Sequence, residues 1–144
     1  MEKMKFVTRA AAMALIVALM LLFAAACNTV DAEGLWENAT YRRDVTLGKG
    51  DKTVEVEVKA GEESVTFTIK TDKEILADAL LEHDLIEGED GAYGLYVKKV
   101  NGILADYDVD ASYWALTVNG EYAMTGMSDT PITDGASYEI VYTK

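Results

Sequence analysis

Two stretches of the chain alternate strictly between apolar and polar positions. In residues 52–59 (KTVEVEVK), Val54, Val56 and Val58 fall on one side and Glu55 and Glu57 on the other. In residues 64–70 (SVTFTIK), Val65, Phe67 and Ile69 take one side. Period-two alternation predicts half-buried strands, and the Gly61-Glu62-Glu63 turn between them predicts a hairpin. The pattern then changes period. Thr71-Asp72-Lys73-Glu74 has the form of a capping box, and Ile75, Leu76, Ala79 and Leu80 follow at helical spacing. A helix is predicted over residues 72–83, ended by Gly88-Glu89-Asp90-Gly91. Further strands are predicted at 93–100, 112–118 with a return at 121–124, and 137–142. Asn101-Gly102 and Asn119-Gly120 supply tight turns. A hairpin, one helix and three or more later strands make an α+β fold of β-grasp type, with the helix on one sheet face. Val54, Val56, Phe67, Ile69, Ile75, Leu76, Leu80 and Ile140 are its expected core.

Upstream of the alternating region the pattern is different. Lys3, Lys5 and Arg9 open the chain, Ala10 to Ala26 is unbroken apolar sequence, and Ala24-Ala25-Ala26 precede Cys27. A charged start, an apolar middle and small residues before a cut site predict a secretory signal over residues 1–26. The small residues followed by cysteine resemble the bacterial lipobox, in which the peptidase takes an extended backbone and the thiol carries the lipid. Cys27 is thus the expected lipidation site, which would hold the protein to the extracytoplasmic face of a membrane. An uncleaved apolar anchor would leave the domain on the same side, since Lys and Arg stay in the cytoplasm. Residues 27–49 read as the lipidated N-terminus and a tether, and residues 50–144 as the domain. Leu35, Trp36 and Tyr41 are unusual in a linker and point to partial folding back.

Composition narrows the partners. The 144-residue chain carries a net charge of −12, and its leader is net positive, so the exported part is more acidic still. Phosphate backbones would repel it, which argues against nucleic acid. A single cysteine allows neither an internal disulfide nor a zinc finger.

The segment from Gly94 to Tyr142 resembles the transcobalamin-like C-terminal domain. The likeness rests on Gly94-Leu95-Tyr96-Val97, Val100-Asn101-Gly102, Tyr113-Trp114, Asn119-Gly120, Gly126 and Asp134-Gly135, in that order. It extends more loosely back to Lys52. Such domains form the smaller part of animal cobalamin carriers and stand alone in lipoproteins of Gram-positive gut bacteria. The resemblance implies a β-grasp-related fold and a small-molecule ligand, a corrinoid first among candidates, captured for a transporter. The other function class consistent with the residues is a surface protein-interaction module with no small-molecule ligand.

The expected ligand face combines Tyr96, Asn101, Tyr107, Trp114, Tyr122, Met124 and Met127, clustered near the two Asn-Gly turns and the loop between them. Aromatic area, polarizable sulfur and an amide that both donates and accepts suit a flat amphipathic ligand. Trp114 and Met127 also read as ordinary core residues, and adjacent Tyr113 as surface cover. Asp106, Asp108 and Asp110 start like an EF-hand loop, but Ala111 stands where Gly is needed and Thr117 where Glu is needed. A solvated acidic loop is expected there. His83, the one histidine, reads as a helix-end residue interacting with terminal carbonyls. With no nucleophile–base pair, phosphate loop or metal signature, neither an enzyme nor a bound cofactor is expected.

Overall fold

The computed structural model describes residues 32–144. The expected secretory signal over residues 1–26 and the expected lipidation site, Cys27, lie outside the described residues. The alternating segments form strands β2 (Lys52–Ala60) and β3 (Glu63–Thr71), paired antiparallel with Val54 opposite Ile69, Val56 opposite Phe67 and Val58 opposite Val65. All six of these side chains are buried. The last strand, β9 (Ser137–Thr143), runs parallel to β2 on its other side. Strand β7 (Tyr113–Val118) pairs antiparallel with β9, and the short β8 (Glu121–Tyr122) with the end of β7. Strand β1 (Val45–Leu47) lies parallel to β3, completing a six-stranded sheet of order β1-β3-β2-β9-β7-β8. The hairpin with its parallel C-terminal neighbour is the predicted α+β arrangement.

Seven of the eight expected core residues are fully buried, and Ile75 is half-buried. The helix carrying Leu76 and Leu80 is shorter than its pattern predicts. It spans Leu76–Glu82 (α2, after a short α1 at Ala32–Trp36), and the capping box does not form. Thr71 is the buried end of β3, and its hydroxyl accepts from Lys73 N at 3.0 Å. Ile75 sits at the N-cap in extended conformation, bridged to Pro131. Leu76 N donates to Thr130 O at 2.9 Å, and Glu74 O accepts from Ile132 N at 2.8 Å. Backbone pairing with residues 130–132 thus occupies the turn that the capping box would have used. At the other end, Asp84 adopts φ of +55°. Asp84 N and Leu85 N donate back to Leu81 O and Leu80 O at 3.1 and 3.0 Å, a Schellman closure without glycine. His83 closes the helix through its backbone. Its Nε2 is buried without a hydrogen-bond partner among the described residues, so the expected bond to the end carbonyls is not made.

The Gly88-Glu89-Asp90-Gly91 segment is a strand rather than a helix stop. It belongs to β4 (Ile86–Gly91), which pairs with β5 (Gly94–Val100); β6 (Ile103–Leu104) adds to the end of β5 in a separate three-stranded sheet. A Cβ on Gly88 would collide with the Tyr96 carbonyl, so this close strand approach needs glycine there. The described part of the expected tether is also built into the fold. Trp36 is 3% exposed and its indole N–H donates to Ala60 O at 2.9 Å. Tyr41 packs edge-on against Phe67 with ring centroids 5.5 Å apart.

Candidate functional site

Strands β5 and β7 do not pair with each other along their length, and a cleft of about 340 Å³ opens between them. Leu95, Tyr96 and Val97 line one wall and residues 113–116 the other. Tyr122, Ala123 and residues 125–127 close the end. A register shift in the β4–β5 ladder helps to set the shape. Residue 98 has no partner on β4, and its carbonyl accepts from Ala105 N at 2.8 Å and from the Trp114 indole N–H at 3.1 Å. The bulge therefore fixes Trp114 by its polar end while its ring packs edge-on against Tyr142, centroids 5.6 Å apart. Trp114 is 8% exposed and Met127 is buried, which makes them floor; Tyr96, Tyr113 and Tyr122 stand exposed around it. The open questions about Trp114 and Met127 resolve the same way: each is both core and cleft lining.

Four of the seven expected ligand residues meet in this cleft: Tyr96, Trp114, Tyr122 and Met127. The other three do not line it. Asn101 is fully buried at its turn, with φ of +51°; its Oδ1 accepts from Tyr41 N and its Nδ2 donates to Tyr41 O, both at 2.8 Å. Its amide is satisfied by the backbone and has nothing to offer a ligand. A Cβ on the next residue, Gly102, would collide with the Asn38 carbonyl, so the turn clamps the N-terminal segment closely. Tyr107 heads the one-turn helix α3 (Tyr107–Asp110) and reaches the cleft only through Tyr113, ring centroids 6.5 Å apart. Met124 is 97% exposed and points into solvent. Leu95, Val97, Tyr113, Leu116, Ala123 and Thr125 line the cleft without having been expected there. Tyr113 carried a readable signal, since it shares a strand with Trp114; the rest depend on how two sheets meet.

The acidic loop is ordered by its own hydrogen bonds. Asp106 caps α3, accepting from Asp108 N at 3.1 Å. The buried Ser112 donates to Asp110 through its hydroxyl and its backbone N–H. With Lys144 adding to these bonds, they hold the Asp110 carboxyl below the usual aspartate range. Glu89, 3.4 Å from Lys98, holds that ammonium above the usual lysine range, with Asp106 and Asp108 adding to the effect. Among the described residues, no group of three or more His, Cys, Asp or Glu is placed to hold a metal ion. No helix among them is long and apolar enough to cross a membrane.

Residues 74–144 match the domain of unknown function DUF4430. A Ruminococcus gnavus protein that carries a provisional metal-binding name shares 32% identity and a TM-score of 0.62 over 65% of this chain and 98% of its own. Haptocorrin, solved in complex with Cbi, shares 22% identity and a TM-score of 0.50 over 68% of this chain. That second likeness is one of fold, and the chain spans 26% of haptocorrin's length. No curated protein matches the sequence.

Proposed function

The chain belongs to the DUF4430 family, and we propose that it is a bacterial surface lipoprotein whose domain binds a small molecule in the cleft between β5 and β7. The single observation that carries this reading is the convergence of Tyr96, Tyr113, Trp114, Tyr122 and Met127 on one opening. Exposed aromatic rims over a buried apolar floor suit a flat, amphipathic ligand, and the volume falls at the low end of ordinary ligand sites. A corrinoid is the first candidate. The fold shared with haptocorrin in its Cbi complex and the resemblance to transcobalamin-like domains support it. A ligand of that size would be covered on one face, so affinity is set near micromolar, about −8 kcal/mol. The protein acts by capture, without catalysis, and hands its ligand to a transporter in the same membrane.

The anchor belongs to the same proposal. Basic residues, an apolar run and small residues ending at Cys27 support export and lipidation, which would place the cleft outside the cell. Native mass spectrometry on protein purified from its host tests the ligand. A retained mass equal to a corrinoid is expected; no corrinoid retained, and none taken up on addition, would remove that ligand.

A further inference from the structure

Both long walls of the cleft are strand edges. Asn119 N donates to Ser137 O at 2.8 Å, which sets the alternation of the β7–β9 ladder. Tyr113, Ala115 and Thr117 exchange bonds with β9, so Trp114 and Leu116 turn their N–H and C=O groups away from it. On that side the Leu116 carbonyl accepts from Ala123 N at 3.0 Å, but β8 pairs only with Thr117 and Val118. Among the described residues, no strand pairs with the Leu116 N–H or with either backbone group of Trp114. On the facing wall, Leu95, Tyr96 and Val97 pair with β4 alone. Leu95 N points outward to Ser128 Oγ at 3.0 Å, and Val97, two residues on, faces the same way.

A strand edge left open beside an apolar cavity is a template for another extended backbone. Its charge setting points to the kind of backbone. The chain is net −12. Glu89, with Asp106 and Asp108, raises the proton affinity of Lys98, whose carbonyl holds the Trp114 indole, and exposed Glu121 and Asp129 lie beside the lining segments in sequence. We propose that the cleft takes a short, extended, basic peptide that adds as a strand to the β7 edge at Trp114 and Leu116 and seats an apolar side chain over Trp114 and Met127. The free edge, residues 114–116, is about 10 Å long at about 3.3 Å per residue, which fits about three peptide residues. The proposal rests on the cleft being the ligand site and does not require a corrinoid.

The probe is the blocked pentapeptide acetyl-Lys-Leu-Lys-Leu-Lys-amide, titrated by NMR against the full chain in detergent. Slowed exchange of the Trp114 and Leu116 amide protons is expected on binding. In a strand, alternate residues turn their N–H to opposite sides. N-methylation of the two leucines and of the lysines should therefore act unequally, one set weakening binding by about tenfold and the other by less than about twofold. Replacing the lysines with glutamates should weaken it by about tenfold as well. No binding, unprotected Trp114 and Leu116 amides, equal losses from the two methylation patterns, or indifference to charge reversal would each overturn the peptide proposal. Cobinamide titrated in parallel keeps the two readings apart. Corrinoid binding without peptide binding overturns only the peptide, and the reverse removes only the corrinoid.

Discussion

Asn101 and Tyr122 flank comparable Asn-Gly turns, yet one is locked into the frame and the other stands open at the cleft. Sequence places both near a turn, but whether a side chain faces inward depends on what crosses the turn. At Asn101 that is the backbone of Thr40 and Tyr41. Tyr96, Trp114, Tyr122 and Met127 were legible because large apolar side chains beside turns collect where sheet ends meet. Met124 has the same composition signal and no neighbour to meet. Replacing Asn101 with Ala should therefore destabilise the fold by about 1–3 kcal/mol, since it strands the part-buried backbone N–H and C=O of Tyr41. Urea unfolding measures that cost, and ligand affinity of the folded fraction should not change. Asp110 gives a second residue-scale test. Its pKa is depressed below 3.8 by Ser112 first, then Lys144. The stability this contributes is present above the unfolded value and is lost as pH falls through the lower folded value. In Ser112→Ala, an NMR titration of the Asp110 carboxyl should move back up toward 3.8. An unmoved titration would show that Ser112 does not hold it.

Elements were legible where one period ran uninterrupted. The β2–β3 hairpin and β9 alternate cleanly, and their register follows from which face is buried. Phe67, fully buried at the centre of β3, should cost about 3–5 kcal/mol when truncated to Ala. Strand β4 (IEGEDG) was illegible because its two glycines and three carboxylates carry no strand propensity. It exists because β5 pairs with it. The capping box was legible but false. Local side-chain chemistry lost to long-range backbone bonds between residues 74–76 and 130–132. Glu74 is exposed, so Glu74→Ala should change stability by no more than about 0.5 kcal/mol. A loss of about 1 kcal/mol or more would restore the box. The packed residues before Gly50 were only half legible. Trp36 and Tyr41 announced themselves as too apolar for a tether, but three residues of β1 are too few for a period.

A lipid on Cys27 would tether an acidic domain to a membrane surface. If Cys27 carries that lipid, Cys27→Ala should move the protein from the membrane to the soluble fraction; a variant that stays membrane-bound with its leader still cut would contradict the anchor. The cleft exists only because two sheets in one folded unit leave β5 and β7 unpaired, a relation that the order of motifs along the chain does not contain. Calorimetric titration of the full chain in detergent with cobinamide tests whether this cleft is a ligand site. Tyr96→Ala and Tyr122→Ala provide the comparison, since both side chains stand on the surface and their loss leaves the core intact. A dissociation constant near micromolar is expected, weakened by about fivefold or more in each variant. Heat that is absent in the parent chain, or unchanged in both variants, would contradict the claim that this cleft holds the corrinoid.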